Sequence, residues 1–245
     1  MPSVNPSAKI VRFTSSTNCR KGAITWVNGI NNAMSTMTKT ARNHELTDAA
    51  AVAAQYGEPS VLARDKTMTR LDKYARQFIA CAPFMVMATA SADGDLDASP
   101  KGDAPGFVHI IDDVTLAIPD RPGNRRADGA YNIVASGRIG LLFMIPGMNE
   151  TLRVNGRASM TTDPALLEQL VAQGKPPVAA CRVAVEEVFL HCAKALVRSK
   201  LWDSDRHMDR AEFPPLGHMI AEQIGADDRD GAEAMVQDSL KNKLY

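Results

Sequence analysis

Over residues 84–190 the chain is cut by turn chemistry into short β-prone runs, with room for only two short helices between them. Residues 84–89 alternate as a strand, and Ser91-Ala92-Asp93-Gly94 has the composition of a hairpin turn. Residues 96–101 and 107–111 read as one strand interrupted by a Gly/Pro-rich bend, and Asp112-Asp113 turns the chain into a strand over 114–118. Residues 139–145 and 151–160 flank the turn at Pro146-Gly147, and 179–190 is the last long strand. A parallel sheet needs a helix-sized crossover between neighbouring strands, and this spacing does not supply one. The pattern predicts a mainly β fold with peripheral helices: a six-stranded antiparallel split β-barrel.

Helices are expected on either side and in two of the gaps. Thr47 is positioned to cap residues 48–56, which Gly57 ends. In residues 66–81, Leu71, Tyr74, Ala75, Phe78 and Ile79 recur at helical spacing and form one apolar face, with Pro83 as the stop. Residues 129–135 and the run from Asp163-Pro164 to residue 172 are the helices within the β region. A short helix over 193–200 follows, then 216–224 ended by Gly225, then 230–243 with Met235, Val236 and Leu240 as its apolar side. Residues 1–33 are basic and rich in Ser and Asn, with neither periodicity nor an apolar signal region. The expected organisation is a disordered or mis-annotated N-terminal extension over 1–40 and a single domain over 41–245.

Composition excludes several roles. Lys+Arg and Asp+Glu both total 28, so the net charge is zero, whereas a protein that tracks nucleic-acid phosphates needs a basic surplus. No apolar run approaches the length of a membrane span. The four cysteines, Cys19, Cys81, Cys181 and Cys192, form no C-x-x-C pair, which suggests a reduced, cytoplasmic setting. The five histidines show no metal-ligand spacing, so no metal is expected. There is no G-x-S-x-G nucleophile elbow and no G-x-G-x-x-G dinucleotide fingerprint. No residue stands out as an acid or base, so redox chemistry here would be carried by a cofactor.

Four stretches carry candidate chemistry. Asp120-Arg121-Pro122-Gly123-Asn124-Arg125-Arg126 concentrates three arginines in a turn, and guanidinium forks suit phosphate; the same run also reads as a solvated charged turn. Ser99-Pro100-Lys101-Gly102-Asp103 places a lysine at a strand break, which suits an anion or an ordinary bulge. Thr151-Leu152-Arg153-Val154-Asn155-Gly156-Arg157-Ala158 alternates as a half-exposed strand, with Arg153 and Arg157 on the polar face. Lys194 and Arg198 share one helical face, with Trp202 a turn further on; a plain surface helix looks the same.

Taken in order, these stretches resemble the pyridoxamine 5′-phosphate oxidase-like FMN-binding split-barrel superfamily, over about residues 69–202, and within it a bacterial branch of FMN-dependent enzymes. The resemblance implies a homodimer with FMN at the subunit interface. It implies that Asn124 and Arg125 take the phosphate, with Arg126, Lys101 and Ser99 nearby. Pro119, Asp120, Arg121 and Pro122 would line the ribityl chain and ring edge, Thr151, Leu152 and Arg153 would flank the flavin, and Arg198 and Trp202 would come from the partner. Pyridoxamine phosphate oxidases end in an R-L-x-P segment that holds substrate. Here the corresponding residues are Asp238-Ser239-Leu240-Lys241-Asn242-Lys243-Leu244-Tyr245, so fold and cofactor carry over, and the expected small-molecule substrate is not pyridoxamine phosphate. The expected function is an FMN-dependent oxidoreductase; the rival expectation is a non-catalytic flavin- or haem-binding module.

Overall fold

A computed structural model describes residues 44–123 and 125–245; the expected N-terminal extension over 1–40 lies outside them, as does Asn124. The chain divides into two compact units after Ser60. In the first, α1 (Ala49–Tyr56) starts at Asp48, whose carboxylate accepts the Ala51 N–H at 2.8 Å. Asp48 rather than Thr47 is therefore the cap.

The second unit opens with α2 (Val61–Asp65), which the sequence pattern did not predict, and α3 (Lys73–Cys81). The strands are β1 (Phe84–Ala90), β2 (Leu96–Gly102), β3 (His109–Ile110), β4 (Thr115–Asp120), β5 (Arg138–Met144), β6 (Thr151–Thr161) and β7 (Ala179–His191). Between them lie α4 (Asp128–Ser136) and α5 (Pro164–Gln169); α6 (Lys194–Ser199), α7 (Leu216–Ile224) and α8 (Arg229–Asn242) follow. All strand pairs are antiparallel, in the order β2-β1-β5-β6-β7-β4-β3.

The six-stranded expectation is therefore corrected to a seven-stranded, unclosed sheet. The Gly/Pro-rich bend after Lys101 does not interrupt one strand. It carries the chain from one edge of the sheet to the other, so β2 pairs with β1 while β3 pairs with β4. Such a short crossover between the outermost strands is possible only because the sheet curls. The curl is visible in Lys101 on β2, whose Nζ meets Asp120 Oδ1 on β4 at 2.8 Å although five places separate the two strands in the order. Pro100 and Pro119 lie on these facing edges, and proline offers no N–H for a ladder. The edges are joined there by side chains.

The core fills the curled sheet. Met85, Met87, Leu116, Ile118, Leu141, Phe143, Leu152, Val154, Val183 and Val188 point inward, and α3 and α4 cover them with Leu71, Ala75, Phe78, Ile79 and Ile133. Each large buried side chain contributes about 1.5–3 kcal/mol. Helix α3 begins later than predicted because Asp72 caps it, accepting from Ala75 N at 2.8 Å, while Met68 is already bridged to Val188 on β7. Tyr74, expected on its inner face, is exposed with Lys73 over its ring. On α8 the expected apolar side is not buried either: Met235 and Leu240 face solvent.

A bulge between Asn155 and Gly156 bends β6 where it crosses β7. A Cβ at Gly156 would collide with the Ala184 carbonyl, a backbone atom that cannot swing aside. Gly156→Ala should therefore destabilise the fold by about 1–3 kcal/mol, as overpacking does. Denaturant melts would show the midpoint fall at unchanged slope; an unaltered midpoint would mean that the bulge relaxes freely.

Candidate functional site

The gap that the two edges leave unzipped is the mouth of a cavity of about 500 Å³, within the size range of cofactor sites. Its floor is apolar: Met87 of β1, Ile118 of β4, Ile133 of α4 and Cys181 of β7 are all buried. Its rim is polar, with Ser99 and Lys101 from β2, Asp120 from β4, and the loop leading into α4. Helix α4 approaches closely because residue 129 is glycine; a Cβ there would stand 2.8 Å from the Met87 methyl. Asn132 then ties the helix to β1 through Thr89 Oγ1 at 3.1 Å.

The charges on the rim are mostly committed. Lys101 pairs with Asp120, and Arg121 donates through Nε to Asp103 at 2.9 Å and through Nη1 to the Leu170 carbonyl at 2.8 Å. Burial alone would raise the Asp103 carboxyl. Hydrogen bonds from Tyr245, the Ala104 N–H and Arg121 outweigh that and hold it below the usual carboxylate range. Arg126 meets Asp128 at 2.6 Å. Among the described residues, Arg125 has no ion pair. Its backbone is left-handed, with φ 64°, a conformation that costs a side-chain-bearing residue about 1–2 kcal/mol. Beside it, α4 begins after Ala127 with no side-chain cap, and Asp128 is the acidic residue of its first turn.

Of the residues singled out in the sequence, Ser99, Lys101, Pro119, Asp120, Arg121, Pro122, Arg125 and Arg126 line this one cavity. Asn124 lies outside the described residues. Thr151, Leu152 and Arg153 lie elsewhere. Thr151 pairs with His191 at the far end of β7, whereas Cys181, at the cavity, pairs with Met160 near the other end of β6. Thr151 and Leu152 are buried there, and Arg153 lies over the Phe189 ring at 5.4 Å. Burial and the charges of Arg153 and Lys66 push the neighbouring His191 below its ordinary pKa, and its Nδ1 is buried without a hydrogen-bond partner. Arg198 is exposed on α6, and Trp202 Nε1 donates to the Met148 carbonyl at 2.7 Å, also at that end. Sequence reasoning missed the apolar floor and Gly129. The usable signal was a glycine in the first turn of a helix beside an arginine-rich loop.

Cys181 lines the cavity yet is no nucleophile, because burial pushes its thiol up to about 12. Iodoacetamide at pH 8 should modify the exposed Cys81 and Cys192 in the folded protein and reach Cys181 only on unfolding. Peptide mapping checks this, and rapid native labelling of Cys181 would contradict it.

A family model described as pyridoxamine 5′-phosphate oxidase matches residues 71–192. No curated protein matches the chain. Among solved structures, HupZ of Group A Streptococcus is 20% identical, covering 49% of this chain and 93% of its own, with a TM-score of 0.42. An FMN-binding protein from Syntrophomonas wolfei is 13% identical, covering 48% of this chain and 84% of its own, with a TM-score of 0.39. A Clostridium acetobutylicum protein related to general stress protein 26 of B. subtilis, of the pyridoxinephosphate oxidase family, is 13% identical, covering 48% and 85%, with a TM-score of 0.36. Through residues 71–192, the chain belongs to the pyridoxamine 5′-phosphate oxidase-like split-barrel superfamily.

Proposed function

We propose that the cavity between β2, β4 and α4 holds FMN and that the protein is an FMN-dependent oxidoreductase of a small-molecule substrate, acting as a homodimer. The observation that carries this reading is Arg125. It is a guanidinium without an ion pair among the described residues, held at the cavity rim beside the uncapped start of α4. That combination suits a phosphate dianion, which takes both a fork donor and helix N–H groups. The apolar floor of Met87, Ile118 and Ile133 suits the flat face of a flavin. FMN is favoured over FAD because the chain offers no dinucleotide fingerprint. When bound, FMN supplies hydride transfer, and the protein's share is to bind it, orient it and exclude water. The paired Lys101 and Arg121 keep two cations fixed along the rim without moving a proton.

Arg125→Ala should weaken FMN binding about ten-fold or more, the cost of a charge-assisted contact, and leave riboflavin binding nearly unchanged. Flavin-fluorescence titration measures both; an equal loss for both ligands would make Arg125 a structural residue. Bound flavin should also be reduced by NAD(P)H or another donor and reoxidised by a substrate. Flavin that resists every donor would mark a carrier rather than an enzyme.

The dimer reading rests on what one copy leaves open. Leu96 on the β2 edge and Tyr131 and Val134 on α4 are 86%, 73% and 77% exposed, an apolar surface that calls for cover. Arg198 and Trp202 sit beyond the end of β7 opposite the cavity, so they serve a flavin only in a second copy. Sedimentation should give a dimer with FMN, and apo protein should dissociate more readily on dilution, because a ligand that binds only the dimer favours it. A monomer that retains stoichiometric FMN would overturn the shared site.

A further inference from the structure

A second cavity, of about 400 Å³, adjoins the first and shares Lys101, Pro119, Arg121 and Pro122 with it. Its other lining residues are Pro100, Gly102, Asp103, Phe107, Leu244 and Tyr245. We propose that this cavity is a binding subsite for a planar aromatic monoanion, with Tyr245 and Phe107 as its ring-contacting walls and Lys101 and Arg121 as its cations. The proposal rests on the flavin reading only for the identity of its neighbour.

Asp103 organises the subsite. Its side chain is 5% exposed, and it accepts three hydrogen bonds: Tyr245 Oη at 2.7 Å and Ala104 N at 2.8 Å on Oδ1, and Arg121 Nε at 2.9 Å on Oδ2. A carboxylate so fully engaged fixes its partners and presents little free charge to a ligand. It sets the angle of the Tyr245 ring, which also lies 5.8 Å from the Arg121 guanidinium carbon. Lys175 Nζ holds the Tyr245 main-chain oxygen at 2.9 Å, so the segment after α8 is pinned at two points.

The donors that remain define the ligand. Lys101 uses one of its three N–H groups on Asp120, and Arg121 uses Nε and Nη1, so Nη2 is left among the described residues. Each cation of the lining already meets a carboxylate, Lys101 on Asp120 and Arg121 on Asp103, so the walls offer unused N–H donors and no net surplus of charge. One carboxylate accepts these donors while bringing a single charge into a partly buried space, whereas a phosphate dianion would bring two. The apolar walls comprise two aromatic rings, Phe107 and Tyr245, with Leu244 and the prolines at 100, 119 and 122 around them. Against Phe107 and Tyr245 an aromatic ring gains beyond its area of burial.

Calorimetric titration of the full chain with benzoate, with and without FMN, tests this. Benzoate should bind, and cyclohexanecarboxylate and benzyl alcohol, each lacking one of the two features, should bind about ten-fold more weakly or worse. Tyr245→Ala should weaken benzoate about ten-fold while leaving FMN affinity unchanged; Tyr245→Phe, which keeps the ring, should retain most of the affinity. No benzoate binding into the millimolar range, equal binding of all three probes, or a Tyr245→Ala variant that binds benzoate normally or loses FMN equally would overturn the subsite. Benzoate binding without FMN binding would sink the flavin reading and leave the subsite standing; the converse would do the reverse.

Discussion

The two ion pairs across the seam, Lys101–Asp120 and Arg121–Asp103, are what the site depends on. They join residues near opposite edges of a seven-stranded sheet, so they register how far the sheet has curled. A closed barrel would zip this seam with a backbone ladder. Here Pro100 and Pro119 remove donors from both edges, and β3 is too short to cover the end of β4. The seam is left with a gap that charges hold at a fixed width. The Arg121–Asp103 pair bears most of this, since both side chains are largely buried and breaking a buried pair leaves an uncompensated charge at a cost of about 3–5 kcal/mol.

The same pairing decides what the gap can attract. Four cationic side chains face the rim, and three of them already meet a carboxylate. What is left over is Arg125, placed by a left-handed backbone next to the positive end of α4. A site with all its cations free would draw any anion and lose rigidity. One in which all but one are paired is stiff and leaves a single cation for the proposed phosphate. The strained backbone at Arg125 fits that division of labour, because strain persists where the surrounding structure determines it.

How much of this was legible in the sequence follows from what each signal depends on. Alternation and turns are local, so β1, β5, β6 and β7 emerge with edges within a residue or so, as do α4 and the Gly225-capped α7. The rim loop was legible because arginine, glycine and proline cluster in seven residues. The strand count failed because strand pairing is non-local: nothing in the run 96–111 states that its halves join opposite edges. Helix α3 began late because tertiary pairing of Met68 with Val188 overrode local propensity. Tyr245 was invisible as a site residue because its partner Asp103 lies 142 residues earlier. The apolar floor was invisible for a different reason: inward-facing Met87 and Cys181 look the same in sequence whether they meet a core or a cavity.

If Thr151, Arg153, Arg198 and Trp202 serve the proposed flavin, their placement requires a second copy. β7 has 13 residues, and at about 3.3 Å per residue its two ends lie roughly 40 Å apart along the strand. The cavity touches Cys181 near one end; Thr151, Arg153, Arg198 and Trp202 gather at the other. No rotamer change spans that distance, and the buried β6–β7 pairing leaves no hinge for it. A two-fold arrangement that sets two such strands side by side in opposite directions brings the α6 end of each copy to the cavity end of the other, and by symmetry does so twice. In that arrangement each copy would supply the phosphate rim of one site and the Arg198–Trp202 wall of the other. Neither half-site would then be complete in a monomer, and assembly itself would set the volume available to the cofactor.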